Sequence, residues 1–142
     1  MKLINWLFLI LGSICLLSSC AFDKALKGPS LEEQAKADYG EIPSNYKELL
    51  KGDFYQRLFD SYSAKYEFCE PNKAWASYYR PQPHVLYGWA VCGTINAKNR
   101  SGGYVGRKLF WAFFHKGKLV MIKQEYPAID ACEGNRRNCL TD

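Results

Sequence analysis

Apolar residues recur along the chain in patterns that predict its elements. The first pattern is a continuous run. Leu3 to Leu17 is apolar except for Asn5, Gly12 and Ser13, with one cation, Lys2, ahead of it. It falls short of the roughly 20 residues a membrane span needs and fits the core of a signal peptide ending in small residues. The second pattern is a helical stripe. Tyr46, Leu50, Phe54 and Leu58 follow at four-residue steps with Leu49 beside them, while Lys47, Glu48, Lys51, Gln56 and Arg57 fill other positions. That spacing predicts an amphipathic helix after Pro43, capped by Ser44 and ending near Asp60, where Asp-Ser-Tyr-Ser offers turn chemistry. Gly52 weakens it by about 1 kcal/mol relative to Ala. Before it, the chain from Ala21 to about Gly40 is polar. Ser30 and Glu33 there form a capping box ahead of a short helix through Ala37, too brief to be stable alone.

The third pattern is alternation. Lys65–Glu70 alternates in part, Pro71-Asn72 makes a turn, and Lys73–Tyr79 is short and aromatic. Arg80-Pro81-Gln82-Pro83 cannot sit inside a sheet. His84–Ile95 is rich in β-branched and aromatic residues, and Tyr104–His115 and Lys118–Gln124 follow as further strands. Lys116-Gly117 suits the tight turn between the last two. Both parities of Tyr104–His115 are apolar in its second half, Phe110 and Phe114 on one and Leu109, Trp111 and Phe113 on the other. A strand covered on both sides explains that, and so does an exposed aromatic strip. The expected fold is α+β: an N-terminal helix packed on a small antiparallel sheet. The expected division is a signal peptide over 1–19, a tether over 20–40 and one domain over 41–142.

Composition sharpens the picture in two places. With 142 residues, 48% apolar and 23% charged, the chain has room for one core and is not disordered. Of its six cysteines, Cys15 and Cys20 belong to the leading segment. Cys69, Cys92, Cys132 and Cys139 remain, an even set that predicts two disulfides in an oxidising compartment. Three connectivities are open. Metal ligation is the weaker reading of these thiols, since no C-x-x-C spacing exists. The net charge of +5 drops by one with Lys2 gone, too little to indicate nucleic-acid binding.

Leu17-Ser18-Ser19-Cys20 resembles the lipobox of bacterial lipoproteins. That resemblance implies cleavage before Cys20, acylation of its thiol and new amine, and a membrane anchor. With Ala21 rather than Asp next, it also implies sorting to the outer membrane, facing the periplasm. Further on, Cys92-Gly93-Thr94-Ile95-Asn96-Ala97-Lys98-Asn99 and Gly102-Gly103-Tyr104-Val105-Gly106 resemble a pattern of small secreted or lipid-anchored proteobacterial proteins. Asp60-Ser61-Tyr62-Ser63-Ala64 matches their upstream element, with Ser61 in place of the usual Pro. The resemblance covers roughly residues 40–115 and implies one folded module but no activity.

Candidate chemistry is sparse. The Asn96–Arg107 loop, with Asn96, Lys98, Asn99, Arg100 and Arg107, has the glycines and cations to hold a phosphate or carboxylate, yet it contains neither a P-loop nor a dinucleotide fingerprint. A plain β-connection bent by glycines is the competing reading. Tyr78, Tyr79 and Arg80 form a candidate recognition edge, because Tyr and Arg favour contact sites. His84 and His115 belong to no metal or nucleophile motif, and nothing fixes a geometry for Glu67 with Glu70 or Glu125 with Asp130. The sequence therefore predicts a non-catalytic envelope lipoprotein without cofactor that contacts another protein. Capture of an anionic envelope component at the loop is the alternative, and a histidine-dependent hydrolase comes third.

Overall fold

The computed structural model describes residues 28–78, 84–124 and 132. Two helices, α1 (Leu31–Lys36) and α2 (Tyr46–Arg57), precede five strands: β1 (Asp60–Phe68), β2 (Asn72–Tyr78), β3 (His84–Lys98), β4 (Lys108–His115) and β5 (Lys118–Gln124). They form one small sheet in the order β1-β3-β4-β5, with β2 also paired to β3. The β1–β3, β3–β4 and β4–β5 ladders are antiparallel. The antiparallel sheet is thus as expected. The chain forms two compact units, Met1–Ala37 with Trp75–Leu86, and Asp38–Ala74 with Tyr87–Asp142.

The smaller unit holds α1. Ser30 Oγ accepts the Glu33 N–H at 3.2 Å and Glu33 returns a carboxylate to the Ser30 N–H at 2.9 Å. This is the reciprocal cap that the Ser-x-x-Glu spacing predicts. Just ahead of it Gly28 has φ +75°, and a Cβ there would lie 2.5 Å from the Trp75 ring. Pro29, beside it, is buried.

The larger unit contains the core. Leu50 and Phe54 of α2 are buried with Val91 and Ile95 of β3 and Phe110, Ala112 and Phe114 of β4. Tyr46, Leu58, Tyr66 and Phe68 pack around them. Phe110 lies at the centre, 5.0 Å from the Phe54 ring and 5.9 Å from the Phe68 ring. Each fully buried side chain of this size stabilises by about 1.5–3 kcal/mol, so the stripe outweighs the cost of Gly52 within α2. Asn45, not Ser44, occupies the N-cap, and its side chain makes no capping bond. The helix ends at Arg57, and Asp60 opens β1.

The other parity of β4 is buried as well. Trp111 and Phe113 are shielded and stack at 5.6 Å. Trp111 stands directly opposite Cys92, whose sulfur is bonded to Cys132 with a Cα–Cα separation of 6.0 Å. Of the three possible connectivities, only one contains this bond. Cys69 is also disulfide-bonded, to a residue outside those described, and Cys139 lies outside them too. Cys69 and Cys92 are cross-strand neighbours, with the Cys69 N–H on the Cys92 carbonyl at 2.9 Å, yet Cys92 bonds to Cys132. The β4–β5 turn has φ 48° at Lys116 and 73° at Gly117, the paired positive angles that a two-residue hairpin needs.

Burial of Tyr66 against Phe54 and Phe68 raises its phenol above the usual 10.0. The folded state therefore holds that proton more tightly than the unfolded chain. Its contribution to stability is complete below the unfolded value and is lost as pH rises through the folded one. Urea midpoints at about pH 8 and about pH 11 should differ less in Tyr66→Phe than in the wild type. An equal alkaline loss in both would refute this.

Candidate functional site

The expected loop residues converge around the β3–β4 connection, and β3 itself runs on to Lys98, past the expected Ile95. Gly102 and Gly106 adopt φ +77° and +93°, a region that glycine enters without steric cost. Tyr104 keeps only an isolated bridge to Lys98, so β4 begins at Lys108 rather than Tyr104. Two asparagines shape this turn. Asn99 Oδ1 accepts the N–H groups of Ser101 at 3.0 Å and Gly103 at 3.2 Å, and Asn96 Oδ1 accepts that of Gly106 at 3.1 Å. Three of the loop's peptide N–H groups thus point at side-chain oxygens of the loop itself, and those of Gly102 and Val105 at backbone carbonyls. Replacing Asn99 with Ala should cost about 1 kcal/mol and speed hydrogen exchange at Ser101 and Gly103. Asn99→Asp, which keeps the acceptor, should preserve that protection; equal exchange in all three proteins would remove this role.

The cations of the loop are also engaged. Arg107 pairs with Glu67 at 2.9 Å, and Glu67 accepts a bond from Thr94 Oγ1 at 3.0 Å. The pair is half-exposed and contributes little to stability. Lys98 Nζ lies 5.5 Å from the centroid of the Tyr104 ring, and Lys65 Nζ lies 4.9 Å from it. Arg100 stands over Phe59 at 5.5 Å.

These contacts reveal a surface that local sequence reasoning missed. Phe59 is 67% exposed, Tyr62 89%, Tyr55 50% and Tyr104 44%. Tyr55 and Tyr62 meet edge to face at 5.6 Å, and their hydroxyls are 2.8 Å apart. That bond raises the Tyr62 phenol above its ordinary value. Ser63 ties the pieces together: its Oγ accepts the Lys98 N–H at 2.9 Å, and its carbonyl accepts the Tyr104 hydroxyl at 3.2 Å. The available signal was an aromatic density around Ser61 and Ser63 that no strand core absorbs.

Tyr78 lies in the smaller unit, half-buried and stacked on His84 at 5.7 Å, with its phenol raised by burial. Tyr79 and Arg80 fall outside the described residues, as do Cys20, Glu125 and Asp130. His115 Nδ1 lies 2.7 Å from the Tyr87 carbonyl oxygen, a contact that orients its ring. Among the described residues no three His, Cys, Asp or Glu side chains are grouped to hold a metal ion, and no helix is long and apolar enough to cross a membrane. Compared with known protein families, curated proteins and solved structures, the chain matches none of them.

Proposed function

We propose that this chain is a lipid-anchored envelope protein whose α+β module, with its first helices ahead of the sheet, makes non-catalytic contacts with another protein. The exposed aromatic group at Phe59 and Tyr62 carries this reading. Single exposed apolar side chains are ordinary, whereas clustered rings held in place suit a contact surface. The address rests on Leu17-Ser18-Ser19-Cys20. Acylation at Cys20, with each buried CH₂ contributing about 0.8 kcal/mol, would hold the chain on the outer membrane facing the periplasm. Gly28, where the described chain begins, follows Cys20 by eight residues, so it lies no more than about 28 Å from that anchor. Anion capture by the Asn96–Arg107 loop is less well supported, because Asn96 and Asn99 already take three of its amides.

Two measurements test the proposal. Cells supplied with a labelled fatty acid should label the wild type and not Cys20→Ser, and only the wild type should sediment with membranes. Crosslinking in intact cells should join the module to a protein neighbour. Recovery of no protein above an uncrosslinked control would count against the contact role, whatever the labelling shows.

A further inference from the structure

We infer that the surface formed by Phe59 and Tyr104 with Lys65, Lys98 and Arg100 docks an acidic segment of a protein partner. This deepens the contact-module reading and rests on it. The argument begins with charge. Arg57 and Arg107 meet carboxylates, of Asp53 at 2.7 Å and Glu67 at 2.9 Å. Lys65, Lys98 and Arg100 meet no carboxylate among the described residues and lie over rings instead. One carboxylate shares the stretch: Asp60, the register partner of Lys98, whose Oδ1 accepts the Ser63 N–H at 3.1 Å. Three cations against one anion leave the surface positive.

Shape points the same way. The rings are held before any partner arrives, Tyr104 by Ser63 and two ammonium groups and Phe59 under Arg100. A partner would therefore pay little to order them. Exposed cations on ring faces can take up carboxylates while keeping ring contact, and the rings then bury apolar side chains set between those carboxylates. Tyr and Arg are the side chains that concentrate binding energy in protein interfaces.

The test uses the full chain in nonionic detergent and arrayed peptides of equal length and equal aromatic content. Their net charge would run from acidic through neutral to basic. Acidic peptides should be retained best, with retention falling as salt screens the pairing. The triple variant Lys65→Glu, Lys98→Glu, Arg100→Glu should weaken retention about ten-fold or more and level the ranking. A control triple, Lys47→Glu, Lys118→Glu, Lys123→Glu, makes the same change in net charge and should keep the ranking. Phe59→Ala, at an exposed position, should weaken retention without altering the thermal midpoint. A ranking that survives in the first triple, or is lost equally in the control, overturns the assignment. So does tighter retention on vesicles of anionic phospholipid or on acidic polysaccharide. A protein neighbour captured in cells through another face would leave the contact role standing while this surface fails.

Discussion

Replacing Cys92 and Cys132 together with alanine should lower the stability of the disulfide-braced unit more than any surface change. The bond closes a loop with a sequence separation of 40. Restriction of the unfolded chain by a loop of that size corresponds to about 4 kcal/mol, with measured values scattering downward to about 2. Native stability for a domain of this size is only about 5–15 kcal/mol, so the loss is a large share of the total. The native state feels it too. Both sulfurs are buried, and Cys92 stands opposite Trp111 on the face that carries Phe113. The thermal midpoint of the double variant, measured without reductant, should fall by about 10 °C or more. Wild type with reductant should fall further, because the Cys69 disulfide is opened as well. An unchanged midpoint in the double variant would show that the bond restrains little.

Where the chain's own local chemistry determines an element, the sequence discloses it. β5 spans Lys118–Gln124 as the alternation predicts, the Lys116-Gly117 turn has the expected positive angles, and Ser30 and Glu33 cap each other. Where a distant partner decides, local reading goes astray. Asp60-Ser61-Tyr62-Ser63 reads as a turn, and Asp60 does accept the Ser63 N–H. The segment nevertheless belongs to β1, with an irregular register between Asp60 and Lys65, because Ser63 Oγ takes the Lys98 N–H from 35 residues away. The loop shows the same division. Asn and Gly announce a tight connection, but which amides Asn99 would take depends on the closed turn. The aromatic surface was the least legible part. Phe59, Tyr62 and Tyr104 resemble core residues by composition, and only the fold shows that α2, β1 and the β3–β4 connection leave them outside.

Gly93→Ala should be strongly destabilising, because it adds an atom inside the packed sheet. Gly93 faces Phe110 across the β3–β4 ladder and Phe68 across the β1–β3 ladder. A Cβ there would lie 2.3 Å from the Glu67 carbonyl oxygen and 2.5 Å from Cζ of the Phe110 ring. Neither neighbour yields easily. The oxygen is backbone, and Phe110 is fully buried and packed against Phe54 and Phe68. Overpacking of this kind costs about 3 kcal/mol, visible as a lowered urea midpoint at unchanged slope. A second variant separates the two contacts. If the ring clash dominates, Gly93→Ala with Phe110→Leu should be more stable than the sum of the single changes allows, because the smaller side chain vacates the space of the added methyl. If the carbonyl contact dominates, the two losses should add, since shortening Phe110 leaves the Glu67 oxygen in place. The carbonyl contact is the shorter and the less able to relax, so near-additivity is expected. A Gly93→Ala protein as stable as the wild type would show that β1 and β3 can part at this point, and would remove Gly93 from the packing of the sheet.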